Sequence, residues 1–206
     1  MEKTEKMKRD LLSNTLKNIP FDGWTEKSLK DAAKSLFSDE KMAFIAFPNG
    51  LTDLVDFFAT KTDEEMEARI KKLDLKKMKL TEKIIKAVMI RLNIHAEEKE
   101  AIKALLSYYS QPAHAHEAVI NTARTIDKIW RAVGDHSYDF SFYTKRFSLA
   151  TIYSTTVLYW ISDDSENFQK TEEFLKRRID GLIRFGKFKN SMVGKVAGIF
   201  KKTNQQ

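Results

Sequence analysis

The sequence has no cysteine, and its 206 residues include only three prolines and seven glycines. Without cysteine there are no disulfides, thiolate zinc sites, iron–sulfur clusters or cysteine nucleophiles. Scarce glycine and proline exclude a collagen-like repeat and argue against a turn-rich β-sandwich. No segment alternates polar and apolar residues long enough to propose a strand, and neither G-x-G-x-x-G nor G-x-S-x-G occurs. What is present is 42% hydrophobic and 32% charged residues, 36 basic against 29 acidic, with a net charge of +7. That composition fits one compact helical domain with a sizeable core. The first ten residues mix both charge signs and lack an apolar run, so they read as neither a secretory signal nor a transit peptide; a cytoplasmic, bacterial chain is expected.

Apolar residues recur at helical spacing almost throughout, and roughly ten helices with short connections are predicted. Breaks are expected at Asn18 to Gly23, Phe47 to Gly50 and Gln111 to Pro112, and the Thr62 to Glu65 spacing predicts a capping box that starts a new helix. The first three helices, near residues 4 to 18, 25 to 37 and 39 to 46, resemble the helix-turn-helix unit that opens TetR-like regulators. The third carries Asp39, Glu40 and Lys41 and is otherwise apolar. Base and phosphate contacts rely on Arg, Lys, Asn, Gln, Ser and Thr, so this helix is ill suited to a major groove and no nucleic-acid partner is expected.

Gly181 to Lys187 fits part of a phosphate loop. Phe188, however, stands where a magnesium-binding hydroxyl is needed and no strand precedes the run, so the match is read as coincidence. A di-iron site in a helical bundle needs Glu-x-x-His pairs. The residues three before His95, His114, His116 and His136 are Leu92, Gln111, Ala113 and Val133, and His114 and His116 are two apart. No metal, no cofactor and no catalytic constellation is proposed.

Two segments stand out. From Phe140 to Ser162 the only charges are Lys145 and Arg146, while Tyr138, Phe140, Phe142, Tyr143, Phe147, Tyr153, Tyr159 and Trp160 concentrate aromatic side chains. A helix apolar almost all round is buried or faces lipid. The uncharged part is too short and too rich in Ser and Thr to span a membrane, which leaves a central core helix or the lining of a cavity for an apolar ligand. From Leu182 to Lys202 every charge is positive, beside an apolar stripe that includes Phe188, Met192, Val196, Ile199 and Phe200. That is the pattern of a helix lying in a membrane interface, with a helix docked on the body or on a partner as the alternative.

The run IDKIWRAVGDHSYDFSFYTKR, residues 126 to 146, followed by Leu149, Ala150, Ile152 to Thr156, Asp164, Ser165, Phe168, Thr171 and Phe174 to Ile179, resembles the Coq-nine family of ubiquinone biosynthesis proteins. Trp24, Thr25, Leu29, Ala32, Ala33, Phe47, Pro48, Gly50, Leu54 and Val55 follow the same family pattern, so the resemblance covers roughly residues 20 to 190. It implies an all-α, TetR-like helical bundle that has lost DNA reading, a homodimer, an apolar pocket for isoprenoid lipid and a membrane-touching C-terminal amphipathic helix. Family members present a poorly soluble quinone precursor to the di-iron demethoxyubiquinone hydroxylase, a separate enzyme. The family's Asp-Phe-x-Trp-Tyr docking patch maps onto Asp139, Phe140, Phe142 and Tyr143, with Phe142 in place of Trp.

Under that resemblance residues 1–70 form the helix-turn-helix-like part, 71–186 the lipid-binding body and 187–202 the membrane helix. Ile120, Leu149, Tyr153, Val157 and Trp160 are the expected lipid pocket. Phe188, Lys189, Met192, Lys195, Val196, Ile199 and Phe200 are the expected contact with an anionic membrane surface, peripheral on the inner membrane. The rival expectation is a TetR-like, DNA-binding regulator that senses a hydrophobic effector.

Overall fold

A computed structural model describes residues 2–135 and 140–184, with the side chains of residues 140–142 outside the description. The described residues form α-helices and two 3₁₀ turns, and no strand. In chain order they are α1 (Glu2–Asp22), α2 (Glu26–Phe37), α3 (Met42–Ala46), α4 (Leu51–Lys71), α5 (Leu80–Ile94), α6 (Lys99–Tyr109), a 3₁₀ turn (Pro112–His114), α7 (Ala115–Ala132), α8 (Phe140–Ile161) and a second 3₁₀ turn (Glu166–Phe168). A last helix, α9, covers 169–184. The chain divides into two compact units, with the boundary after Phe142.

In the first unit α1 packs on α2 and α6, and α4 on α5 and α7. Thr25 starts α2 with a capping box: its hydroxyl accepts from the Ser28 amide while the Ser28 hydroxyl accepts from the Thr25 amide. α1 runs four residues past the end expected at residue 18, through Pro20. Burial of Ile19 and a bond from the Gly23 amide to the Ile19 carbonyl (2.9 Å) hold that last turn in place. Gly50 has φ +59°, and the Glu26 carboxylate occupies the space a Cβ would need. Glu26 Oε1 thereby accepts from the Leu51 amide (2.8 Å) and caps α4 from 25 residues away. Trp24 is buried against Phe58 and donates its indole N–H to the Ala101 carbonyl (2.9 Å), tying the α1–α2 link to α6.

The helix start expected at Thr62 is absent, because α4 is continuous from Leu51 to Lys71. Thr62 is buried on the inner face, and its hydroxyl lies 2.9 Å from both the Phe58 carbonyl and His95 Nε2. His95 Nδ1 faces Glu98 Oε2 at 3.0 Å, and since a carboxylate only accepts, Nδ1 carries the proton. Burial holds the imidazole pKa below its ordinary value; the Glu98 bond offsets part of that, and the nearby Arg91 charge adds to it.

One residue further along, Asp63 is 1% exposed. Its carboxylate receives Arg91 Nε of α5 at 2.8 Å and the Thr125 hydroxyl of α7 at 3.0 and 3.1 Å, and Arg91 in turn reaches the Thr125 oxygen at 3.3 Å. Three helices thus share one largely buried charge pair. At the start of α7, Glu117 accepts from the Tyr108 hydroxyl (2.9 Å) and the Thr52 hydroxyl (3.1 Å), which locks that end to α6 and α4.

Replacing one partner of such a buried pair costs about 3–5 kcal/mol, because the other charge is left uncompensated. Asp63→Asn is therefore expected to lower the free energy of unfolding in urea by that much, and pairing Asp63→Leu with Arg91→Met should restore part of the loss. An unfolding midpoint unchanged by Asp63→Asn would refute this role for the carboxylate.

Candidate functional site

α8 has one buried row and one exposed row. Leu149, Ile152, Tyr153, Thr156, Val157 and Trp160 are each below 9% exposed, at the three- and four-residue steps that put side chains on one face. Thr156 is the polar member of the row, and its hydroxyl donates to the Ile152 carbonyl (2.7 Å), so no partner from outside the helix is needed. Opposite, Tyr143, Phe147 and Leu158 are 72%, 77% and 59% exposed, with Thr151 and Ser154 between them. A nearly uncharged helix therefore offers apolar surface to solvent as well as to its core.

The turn that follows α8 is built on a carboxylate that the sequence patterns do not single out. Asp163, 4% exposed, accepts from the Ser165 amide (2.9 Å) and hydroxyl (2.6 Å) with one oxygen and from the Thr171 amide (2.8 Å) and hydroxyl (2.6 Å) with the other. Burial alone would raise its pKa, yet these bonds outweigh it and hold the group at about 2. Asp163 thus caps the start of α9 and closes the α8–α9 corner. Within this corner Trp160 meets Phe168 edge-on (5.6 Å), Tyr159 stacks on Phe174 (4.5 Å), and the Arg178 guanidinium lies over the Phe174 ring at 4.8 Å. The D-x-S spacing was the available sign, obscured by the neighbouring Asp164.

Of the expected lipid-pocket residues, Leu149, Tyr153, Val157 and Trp160 fall together on the buried row of α8. Ile120 stands on α7 in the first unit and is 48% exposed. Of the expected docking patch, Tyr143 lies on the exposed row; Asp139 and the side chains of Phe140 and Phe142 lie outside the described residues. Phe188, Lys189, Met192, Lys195, Val196, Ile199 and Phe200 also lie outside them. Gly181, the start of the chance phosphate-loop match, sits within α9.

The first unit holds a cleft of about 760 Å³ between α1, α4 and the α5–α6 link. Its wall is largely charged, with Arg9, Lys17, Lys61, Glu64, Glu65, Glu97 and Glu98 in the lining and Lys61 paired to Glu64. Such a wall suits water better than an isoprenoid chain. No group of three or more His, Asp or Glu that could hold a metal occurs among the described residues, and none of the helices formed by them is long and apolar enough to cross a membrane.

Comparison with known proteins places these features. Residues 115–186, from the start of α7 through α9, match the family COQ9. The chain is 30% identical over 192 residues to "Ubiquinone biosynthesis protein COQ9, mitochondrial" of Xenopus tropicalis, covering 90% of this chain and 60% of that protein. It is 28% identical to the Homo sapiens protein of the same name, with the same coverage, and 30% identical to the Drosophila melanogaster one, covering 88% and 57%. The chain thus spans about 60% of the length of the curated relatives it matches. The crystal structure of the TetR transcriptional regulator from Nitrosomonas europaea ATCC 19718 superposes with a TM-score of 0.68 at 21% identity, over 85% of this chain and 97% of that one. The resemblance carried by residues 126–146 is therefore shown, and the fold is all-α and TetR-like.

Because the folded pKa of Asp163 lies below its unfolded value, its contribution is present at neutral pH and is lost as pH falls from about 4 through about 2. The downward shift corresponds to about 2 kcal/mol. Asp163→Asn should lose a comparable amount at pH 7 and show a shallower acid dependence of the unfolding free energy between those values. An acid limb of unchanged steepness would contradict it.

Proposed function

We propose that this chain, similar over most of its length to COQ9 proteins, works in ubiquinone biosynthesis as a non-catalytic, lipid-binding accessory protein. In this reading it takes an isoprenoid quinone precursor from the membrane and presents it to the di-iron demethoxyubiquinone hydroxylase. The observation that carries the reading is α8, almost free of charge, with an aromatic row buried and a second apolar row exposed, inside the segment that matches the family.

A polyprenyl tail costs on the order of 0.8 kcal/mol for each CH₂ exposed to water, so transfer from bilayer to enzyme benefits from cover along the way. The row Leu149, Tyr153, Val157 and Trp160 receives the tail. Phe188, Met192, Val196, Ile199 and Phe200 enter the membrane interface, and Lys189 and Lys195 add attraction to anionic lipid of about 1 kcal/mol each. Asp139, Phe140, Phe142 and Tyr143 dock the hydroxylase, and the protein acts as a homodimer, peripheral on the inner membrane of a bacterial cell. Residues 1–70 then serve as a helix-turn-helix-like part that does not read bases, 71–186 as the lipid-binding body and 187–202 as the membrane helix.

Transcriptional regulation, the activity for which the Nitrosomonas protein is named, finds little support in α3. That helix has five residues, Met42–Ala46; it buries Ala43 and Ala46 and exposes Phe44 and Ile45 where base-reading donors would be needed.

Native mass spectrometry with lipid extraction, on protein taken from its own membranes, is expected to show a dimer carrying an isoprenoid quinone or precursor; an empty protein retaining a discrete DNA fragment would reverse the reading. Replacing Phe188, Met192, Val196 and Phe200 together by Ser should sharply reduce flotation with anionic liposomes while the helical circular dichroism of the body persists. Tyr143→Ala should weaken hydroxylase binding by about 1 kcal/mol or more, as for an aromatic anchor, with unchanged thermal stability. Equal binding by that variant removes Tyr143 from the docking patch.

A further inference from the structure

The link between α4 and α5 concentrates charge of one sign. Residues 71–86 hold seven lysines against two acids, so this stretch alone carries most of the chain's net charge of +7. Lys71, Lys72, Lys76, Lys77 and Lys79 are exposed at the end of α4 and along the link, and Lys83 and Lys86 follow on α5.

The two acids form no ion pair with them. Asp74 Oδ1 accepts from the backbone amide of Lys76 (3.1 Å), and Glu82 Oε2 accepts from the backbone amide of Lys79 (2.9 Å), where it caps α5. Both carboxylates are thus used in shaping the turn. Among the described residues none of the seven lysines forms an ion pair. Elsewhere paired and unpaired bases are interspersed: Lys27, Lys61, Arg69, Arg124 and Lys128 each hold a carboxylate.

The link is also an ordered one. The Leu73 amide bonds to the Ile70 carbonyl (3.0 Å) and the Met78 amide to the Leu75 carbonyl (3.2 Å), so the backbone is internally bonded at both ends of the link. Between the lysines, Leu73 is 39% exposed and Leu80 44%, with Leu75 and Met78 half-buried.

We propose that residues 71–86 form a surface that docks on anionic lipid, separate from the C-terminal segment. The lysines lie against the negative headgroups while Leu73 and Leu80 enter the headgroup boundary. Lysine would serve either polyanion, but the stretch has no aromatic residue to stack on bases and no Arg, Asn or Gln, and it exposes Leu73 and Leu80, which favours a lipid surface over nucleic acid. The proposal shares membrane association with the function above but rests on different residues, so each can fail alone.

The test measures binding of the full chain to phosphatidylcholine vesicles with and without phosphatidylglycerol. Lys71, Lys76, Lys77 and Lys79 all replaced by Gln should weaken binding to the anionic vesicles by roughly several hundredfold, at roughly fivefold for each lysine, with unchanged circular dichroism. The same four positions as Arg should retain binding, since only the positive charge is used. The chain with Phe188, Met192, Val196 and Phe200 replaced by Ser should keep a residual, salt-sensitive preference for anionic vesicles, removed by adding the four Lys→Gln changes. If the four Lys→Gln changes leave anionic-vesicle binding intact while the Ser changes abolish it, this proposal falls and the C-terminal contact stands. The reverse result upholds this surface and removes the C-terminal one. Duplex DNA binding that is lost with the four Lys→Gln changes, while anionic-vesicle binding is unchanged by them, would assign the surface to nucleic acid and overturn the proposal.

Discussion

A single carboxylate at 1% exposure, Asp63, ties α4, α5 and α7 of the first unit together. A charge taken out of water must be compensated in place, and here the compensation comes from α5 through Arg91 and from α7 through Thr125. Those bonds fix the rotation of α4, and the rotation puts Thr62 on the inner face next to His95. α7 is thereby held at its middle by Thr125, while Glu117 holds its start through Tyr108 and Thr52. This doubly anchored helix is where the match to the COQ9 family begins.

The second unit uses the same physics at a corner. The Asp163 carboxylate collects four donors from Ser165 and Thr171, which ends α8 and starts α9 in one step. With its polar needs met there and at Thr156, α8 can give the rest of its surface to apolar and aromatic side chains. The buried row then provides packing for the unit. The exposed row of Tyr143, Phe147 and Leu158 leaves a face whose apolar area water covers poorly.

Charge is distributed unevenly between these roles. Carboxylates at Glu26, Asp74, Glu82 and Asp163 accept from backbone amides at turns and helix starts. Acids committed to the backbone leave some lysines without partners, most densely along residues 71–86. A modest formal excess of base can therefore produce a strongly basic local surface.

The sequence by itself determined the helical class, the bounds of α2 and the apolar character of α8, because a 3.6-residue period and a local cap are properties of neighbouring residues. The ordered run from Ile126 to Arg146 was enough to point to the family resemblance, and most of the expected pocket residues fall on one face of α8. Only the tertiary structure decided which side of α8 is buried, since a helix apolar all round has no periodic minimum to mark its solvent face. It also turned the Thr62 spacing from a helix start into a mid-helix contact. And it paired Asp63 with Arg91 and Thr125, 28 and 62 residues away, where no local pattern can say which opposite charge will share a buried position.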